Sequence, residues 1–151
     1  MDEIGSSLRE EILNANVAMF NTYNVQPSAL ESDLVPLDLD VTPMDNSKSK
    51  KEGVSRTYKS FDGYAPMMAY IGTEGYAINF ELREGKQHCQ NGTVEFLQET
   101  IHLCKKLTDQ PLLVRLDSGN DSIDNIAVLI DEGCYSYKSF ISCTQFYKNT
   151  D

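Results

Sequence analysis

Leu34-Val-Pro-Leu-Asp-Leu-Asp-Val-Thr42 decides how the rest of the chain is read. It is an apolar run crossed by alternating carboxylates, and in a strand side chains two residues apart share a face. Asp38, Asp40 and Thr42 therefore point one way, while Val35, Leu37, Leu39 and Val41 point the other. Burial of the apolar set would hold the strand and leave the acids at a sheet edge, where something polar must satisfy them. Two carboxylates delivered together in this way suggest a metal ion or phosphate chemistry.

Downstream, Pro43 removes a backbone donor, and the segment to Glu52 is polar with three lysines, so a loop is expected there. Tyr64 to Ile71 reads as a second strand, Gly72-Thr-Glu-Gly75 as a turn, and Tyr76 to Glu84 as a third strand with Tyr76, Ile78, Phe80 and Leu82 on one face. So short a turn makes the last two antiparallel. The period then changes. From Thr93 to Leu107, Val94, Leu97, Ile101 and Cys104 form a helical stripe widened by Phe96, Leu103 and Leu107, with Lys105 and Lys106 at the negative end of the dipole. Pro111 to Leu116, apolar except for Arg115, reads as a strand ending at Asp117-Ser-Gly119. Ser122 to Glu132 reads as a helix stopped by Gly133, and Cys134 to Cys143 as a last strand. Upstream, residues 5–20 read as a helix packed through Leu8, Ile12, Ala15 and Met19, with Ser6 or Ser7 as cap. Asn21 to Asp33 is the connector.

At 151 residues and 17.0 kDa the chain suits one domain around a single core. No apolar run is long enough to span a membrane and no basic leader opens the chain, so a cytoplasmic location is expected. Cys89, Cys104, Cys134 and Cys143 lack close-pair spacing, so reduced thiols are expected. His88-Cys89 and His102-x-Cys104 are poorly spaced for zinc, and Cys104 belongs to the buried stripe. A net charge of −10 argues against unaided binding to nucleic acid, because neutralising phosphates takes Lys and Arg. Any such role needs local basic patches, metal ions or parts outside this chain.

The element order strand-strand-strand-helix-strand-helix-strand is that of the RNase H-like fold. From about Leu34 to Leu129 the chain closely resembles bacterial insertion-sequence transposases of the DDE class, in the group with an Asp-x-Thr/Ser first motif. The resemblance rests on Leu37-Asp-Leu-Asp-Val-Thr-Pro-Met-Asp-Asn-Ser-Lys48, Lys51-Glu-Gly-Val-Ser-Arg-Thr-Tyr-Lys59, Asp62-Gly-Tyr-Ala-Pro66, Glu81-Leu-Arg-Glu-Gly-Lys-Gln-His88 and Leu116-Asp-Ser-Gly-Asn-Asp121. It implies an α/β, RNase H-like fold: a mixed sheet with an antiparallel hairpin and flanking helices, incomplete at the C-terminus. It implies metal-dependent DNA strand cleavage and transfer, with Asp40 and Asp117 as catalytic residues and ligands of Mg²⁺ or Mn²⁺. Such displacements at phosphorus use two divalent ions to activate the attacking oxygen and stabilise the leaving one. Hard cations of this kind take carboxylate oxygens.

The family also implies a third acid, a Glu on a later helix. The only Glu after Asp117 is Glu132, too early and in the wrong setting. The chain thus reads as a truncated copy, by frameshift or stop: an N-terminal helix and connector (1–33), a partial catalytic domain (34–138) and a divergent tail (139–151). DNA, as transposon ends and target, is the expected partner, bound weakly by this piece alone, with room for a homo-oligomer in the full-length parent. Lys48, Lys50, Lys51, Arg56 and Lys59 are candidate DNA contacts, and Arg83 and Lys86 weaker ones. The plain alternative for all of them is a solvated surface.

Two other readings compete. One is an inactive, degenerate fragment. The other is a haloacid-dehalogenase-type phosphatase, whose first motif Asp38-x-Asp40-x-Thr42 also resembles, with Asp38 as nucleophile and Asp40 as acid/base. The antiparallel hairpin after the first strand disfavours the phosphatase, since that fold continues with parallel crossovers.

Overall fold

In the computed structural model, which describes residues 3–120, 122–138 and 146–147, the quoted stretch is the centre of the molecule. Strand β1 (Val35–Val41) buries Val35, Leu37 and Leu39 and leaves Asp40 exposed, as the alternation requires. The first of two small strands after it is β2 (Met44–Asp45) and the second β3 (Ser55–Arg56). Next come β4 (Asp62–Tyr64), β5 (Met67–Ile71) and β6 (Tyr76–Glu81). β5 runs antiparallel to β1, with Leu37 opposite Ile71 and Val41 opposite Met67, and antiparallel to β6. Gly72 and Gly75 take the positive φ values of 80° and 71° that the connecting turn needs and that a side chain would resist.

β7 (Leu112–Leu116) lies on the other side of β1 and parallel to it. β8 (Tyr135–Lys138) continues parallel to β7, and β9 (Phe146–Tyr147) closes the edge antiparallel. The result is a six-stranded mixed sheet in the order β6-β5-β1-β7-β8-β9. Helices α1 (Glu3–Thr22), α2 (Thr93–Cys104) and α3 (Ile123–Asp131) share one apolar cluster with β1, β5 and β7. That cluster joins Leu13, Val17 and Phe20 to Leu97, Ile101 and Leu129, across Leu37 and Val114. Ser122 caps α3 by accepting the Asn125 amide at 3.2 Å. Among the described residues no helix is long and apolar enough to cross a membrane.

Several sequence expectations are corrected. On α1 the stripe Leu8, Ile12, Ala15 and Met19 faces solvent, with Leu8 56% exposed, and Leu13, Val17 and Phe20 are buried instead. Both sets have helical spacing, so periodicity cannot choose between them. Long-range contacts decide. Phe20 packs edge-on against Tyr76 with centroids 5.3 Å apart. Arg9 donates to the Phe80 carbonyl at 2.6 Å, to Asn79 at 2.7 Å and to the Glu99 carboxylate. Asn79, 1% exposed, completes the network by donating to Thr100 Oγ1 at 2.9 Å and Glu99 at 3.1 Å.

The expected loop after Thr42 contributes to a second sheet, three-stranded in the order β2-β4-β3, and the expected strand from Tyr64 to Ile71 is split at Pro66. Strands of two or three residues have no readable period. β6 ends at Glu81, leaving Leu82 54% exposed, because the register shifts at Ala69/Tyr70 and the chain turns Arg83 inward instead. α2 ends at Cys104, although Leu107 beyond it stays buried. Of the expected strand from Cys134 to Cys143, β8 covers Tyr135–Lys138, and residues 139–143 lie outside the described residues.

The Arg9 network makes the docking of α1 pH-dependent. Burial alone would raise the Glu99 carboxyl, but hydrogen bonds from Arg9 and Asn79 and the Arg9 charge outweigh it and hold the group below its ordinary value. A carboxylate depressed in the fold adds stability above its unfolded pKa of about 4.3 and loses it as pH falls through the folded value. Urea midpoints followed from neutral to acid pH are therefore expected to fall below about pH 4.3. Glu99→Gln is expected to flatten that part of the acid limb.

Candidate active site

Each of the two strands that meet in parallel at the middle of the sheet carries an aspartate at its C-terminal end, Asp40 as the penultimate residue of β1 and Asp117 directly after β7. In the β1/β7 register Leu39 lies opposite Leu116, so Asp40 and Asp117 follow the last pair side by side at the C-terminal edge. Both are exposed. Thr42 Oγ1 lies 3.5 Å from Asp40 Oδ2, a weak contact. Asp117 is held more firmly: its Oδ1 accepts the Asn120 backbone N–H at 3.2 Å and the Asn120 side-chain amide at 2.7 Å, across the single turn Ser118–Asn120.

Asp38, the other acid of the opening stretch, has a different partner. Its register partner on β7 is Arg115, whose guanidinium grips both carboxylate oxygens in a two-pronged ion pair. That fork neutralises Asp38 and ties β1 to β7 beside the Asp40/Asp117 edge. A carboxylate so engaged is a poor nucleophile, which counts against the phosphatase reading. So does the antiparallel β5 beside β1.

Beside Asp117 opens a cleft of ≈ 500 Å³ lined by Val41, Arg56, Tyr58, Lys86, His88 and Gly119 among others. The small sheet supplies the Arg56 side of it, and two close backbone approaches set the wall. A Cβ on Gly85 would lie 2.1 Å from the Ser55 carbonyl oxygen and 2.5 Å from that of Gly63. Of the candidate DNA contacts, Arg56 lines the cleft, with only a 3.6 Å contact to Asp62, and Lys59 sits 5.9 Å over the ring of Tyr58. Lys48, Lys50 and Lys51 are exposed on the segment between β2 and β3 and do not line the cleft. Lys86 lines it, 3.2 Å from Glu84.

Arg83 is withdrawn from the list of DNA contacts. It is 2% exposed, its Nε is bound by Glu81 at 2.6 Å, and its Nη1 donates to the Cys89 carbonyl at 3.1 Å and Thr93 Oγ1 at 3.3 Å. It holds the loop before α2 to the end of the hairpin.

Glu132 lies in an ion-pair cluster, 2.6 Å from Lys105 Nζ and 3.3 Å from His102 Nε2. The Lys105 hydrogen bond chiefly holds its carboxyl below the usual range. Cys104 is fully buried, and burial raises its thiol; burial also pushes Cys134 up to about 11. Both therefore remain protonated near neutral pH.

Sequence reasoning overlooked Asn120 and Gly85. Asn120 stood inside the quoted Asp117-Ser-Gly-Asn run, where an Asx residue three positions after an acid is a local signal for a capped turn. Nothing local marked Gly85, since its role comes from two distant carbonyls.

Two adjacent, exposed carboxylates offer hard oxygens to a divalent cation, and such ions are often held by one or two carboxylates with water and substrate phosphate completing the shell. Among the described residues no group of three or more His, Cys, Asp or Glu is placed to hold an ion. Residues 8–145 match the family described as transposase DDE domain group 1, and the chain belongs to that family. Membership ties it to DNA transposition, hence to DNA as partner and to divalent metal ions. Comparison with curated proteins gave no match.

Proposed function

We propose that residues 34–138 form an RNase H-like catalytic unit in which Asp40 and Asp117 are two carboxylate ligands of Mg²⁺ or Mn²⁺ for cleavage and transfer of DNA strands. The observation that carries this reading is the parallel β1/β7 register, which sets the two acids side by side. A divalent ion bound there supplies Lewis-acid stabilisation of an in-line displacement at phosphorus. The chain's own residues do the rest. Asn120 holds Asp117 in place, and the Asp38–Arg115 pair fixes the two strands against each other. Arg56 and Lys86 receive the DNA backbone along the cleft, with Lys59 beside it over Tyr58, and Lys48, Lys50 and Lys51 extend the track outward. The third acid that the family resemblance implies, a Glu on a later helix, has no counterpart in this chain, whose only Glu after Asp117 is Glu132.

With a net charge of −10, and two acids at the edge that must face phosphate, the chain repels DNA until the acids are neutralised. Fluorescence anisotropy with a short duplex is therefore expected to show weak binding that Mg²⁺ strengthens, in the nonspecific range of about 10⁻⁴ to 10⁻⁶ M. In the Asp40→Asn/Asp117→Asn double variant, binding without Mg²⁺ is expected to improve and the Mg²⁺ dependence to vanish. A Mg²⁺ dependence that survives in the double variant, or no DNA binding under either condition, sinks the reading; the second result favours the degenerate fragment.

A further inference from the structure

We propose that Asn120 is a positioning residue for Asp117, seated in turn by Asn125 at the start of α3. The inference rests on the reading of Asp117 as an ion ligand and assigns a role to two side chains which that reading leaves unexplained.

Asn120 is fully buried; its side-chain amide donates to Asp117 Oδ1 at 2.7 Å, and its backbone N–H is shared between that oxygen at 3.2 Å and the Asp117 carbonyl at 3.1 Å. A carboxylate only accepts, so the amide must turn its NH₂ toward Asp117 and its oxygen away. That oxygen, Asn120 Oδ1, is buried with no hydrogen-bond partner among the described residues. A buried acceptor left without a donor is costly, and an apolar residue of similar size would avoid the cost. What Asn120 provides in return is the pair of donors on Asp117.

The arrangement is itself anchored. The Asn120 carbonyl accepts from Asn125 Nδ2 at 2.7 Å, and Asn125, 2% exposed, donates its backbone N–H to the Ser122 cap at 3.2 Å. The first turn of α3 thus fixes Asn120, and Asn120 fixes the rotation of the Asp117 carboxylate. With Oδ1 engaged twice, Oδ2 is left to face the cleft. Gly119 keeps the approach open: a Cβ there would lie 3.5 Å from both Asp117 oxygens and 3.2 Å from Cys89 Sγ. Orienting partners of this kind behind a metal ligand typically account for about 10–100-fold in affinity.

The test is calorimetric titration of the full chain with Mn²⁺, with thermal melting as a folding control. Asn120→Ala is expected to weaken Mn²⁺ binding about 10-fold or more. Asn120→Ser, which keeps a short hydroxyl donor on the same turn, is expected to recover part of the loss. In an Asp117→Asn background Asn120→Ala is expected to cost nothing further, because the two act as one unit. If Asn120→Ala does not fold, Asn125→Ala, which leaves the Asp117 donors in place and removes the shorter of the two hydrogen bonds that anchor the Asn120 carbonyl, the other coming from the Ser122 N–H at 3.1 Å, takes its place in the same comparison. A folded Asn120→Ala, or Asn125→Ala, with unchanged Mn²⁺ affinity overturns the proposal. So does an equal loss with and without the Asp117 carboxylate, which marks a merely structural role. Unchanged Mn²⁺ affinity in Asp117→Asn alone is a separate result: the ligand reading fails, and the positioning role fails with it.

Discussion

Asp117→Asn is expected to lower the affinity of the chain for Mn²⁺ by more than the roughly 10–100-fold typical of changes behind a ligand, and Asp40→Asn to do the same. Each replaces a charged oxygen by a neutral amide of the same shape, so the cation loses both a ligand and a counter-charge. The fold should hardly notice. Both side chains are exposed, and exposed substitutions usually stay within about 0.5 kcal/mol. The Asn120 hydrogen bonds to Asp117 can be kept by the oxygen of the new amide. Once one carboxylate is gone, removing the other should add little, because two ligands of one ion are strongly coupled. Asp38→Asn is the contrasting case: its carboxylate is occupied by Arg115, so Mn²⁺ affinity should stay at the wild-type value. Titration calorimetry on the wild type and the four variants, with melting curves to show that each is folded, distinguishes a shared ion site from two independent acids.

The second large effect concerns stability rather than chemistry. Gly85→Ala puts a methyl group 2.1 Å from the Ser55 carbonyl and 2.5 Å from that of Gly63, and neither oxygen can move without its strand. Overpacking against backbone costs about 1–3 kcal/mol and sometimes more. The upper end is expected here, because two strands of the small sheet are displaced at once. For a chain of this length about 3 kcal/mol lowers the melting temperature by roughly 6–12 °C. Gly63→Ala, whose Cβ would lie 1.9 Å from the Met44 carbonyl oxygen, should behave alike. Because Gly85 lines the cleft, the same change should weaken DNA binding even at temperatures where the chain remains folded. An unchanged melting temperature in both variants would show that the small sheet does not pack against residues 83–85 as described.

How much of this was legible in the sequence follows from the range of the forces involved. β1 was readable because an alternation of Leu and Asp can satisfy both faces of a strand in only one way. The antiparallel hairpin was readable from its four-residue Gly-Thr-Glu-Gly turn, and α2 from a continuous apolar stripe. The pairing of Asp40 with Asp117 needed the parallel contact between β1 and β7, which no local pattern dictates; the family resemblance supplied it. On α1 two stripes competed, and the winner was set by Arg9 reaching Asn79 and Glu99, residues distant in the chain. The small sheet was invisible because its strands are too short for a period. Arg83 was misread because a buried guanidinium looks in sequence like any other basic residue. Its burial depends on Glu81, Cys89 and Thr93 gathering around it.

The central claim, that one divalent ion sits between the ends of β1 and β7, is tested most directly by nuclear magnetic resonance with Mn²⁺ at less than one equivalent. Paramagnetic broadening is expected first at the backbone amides of residues 40–42 and 117–120 together, and to disappear in Asp40→Asn/Asp117→Asn. Broadening that begins instead at the carboxylates on and beside α2, Glu81, Glu95 and Glu99, or that persists unchanged in the double variant, would contradict the account.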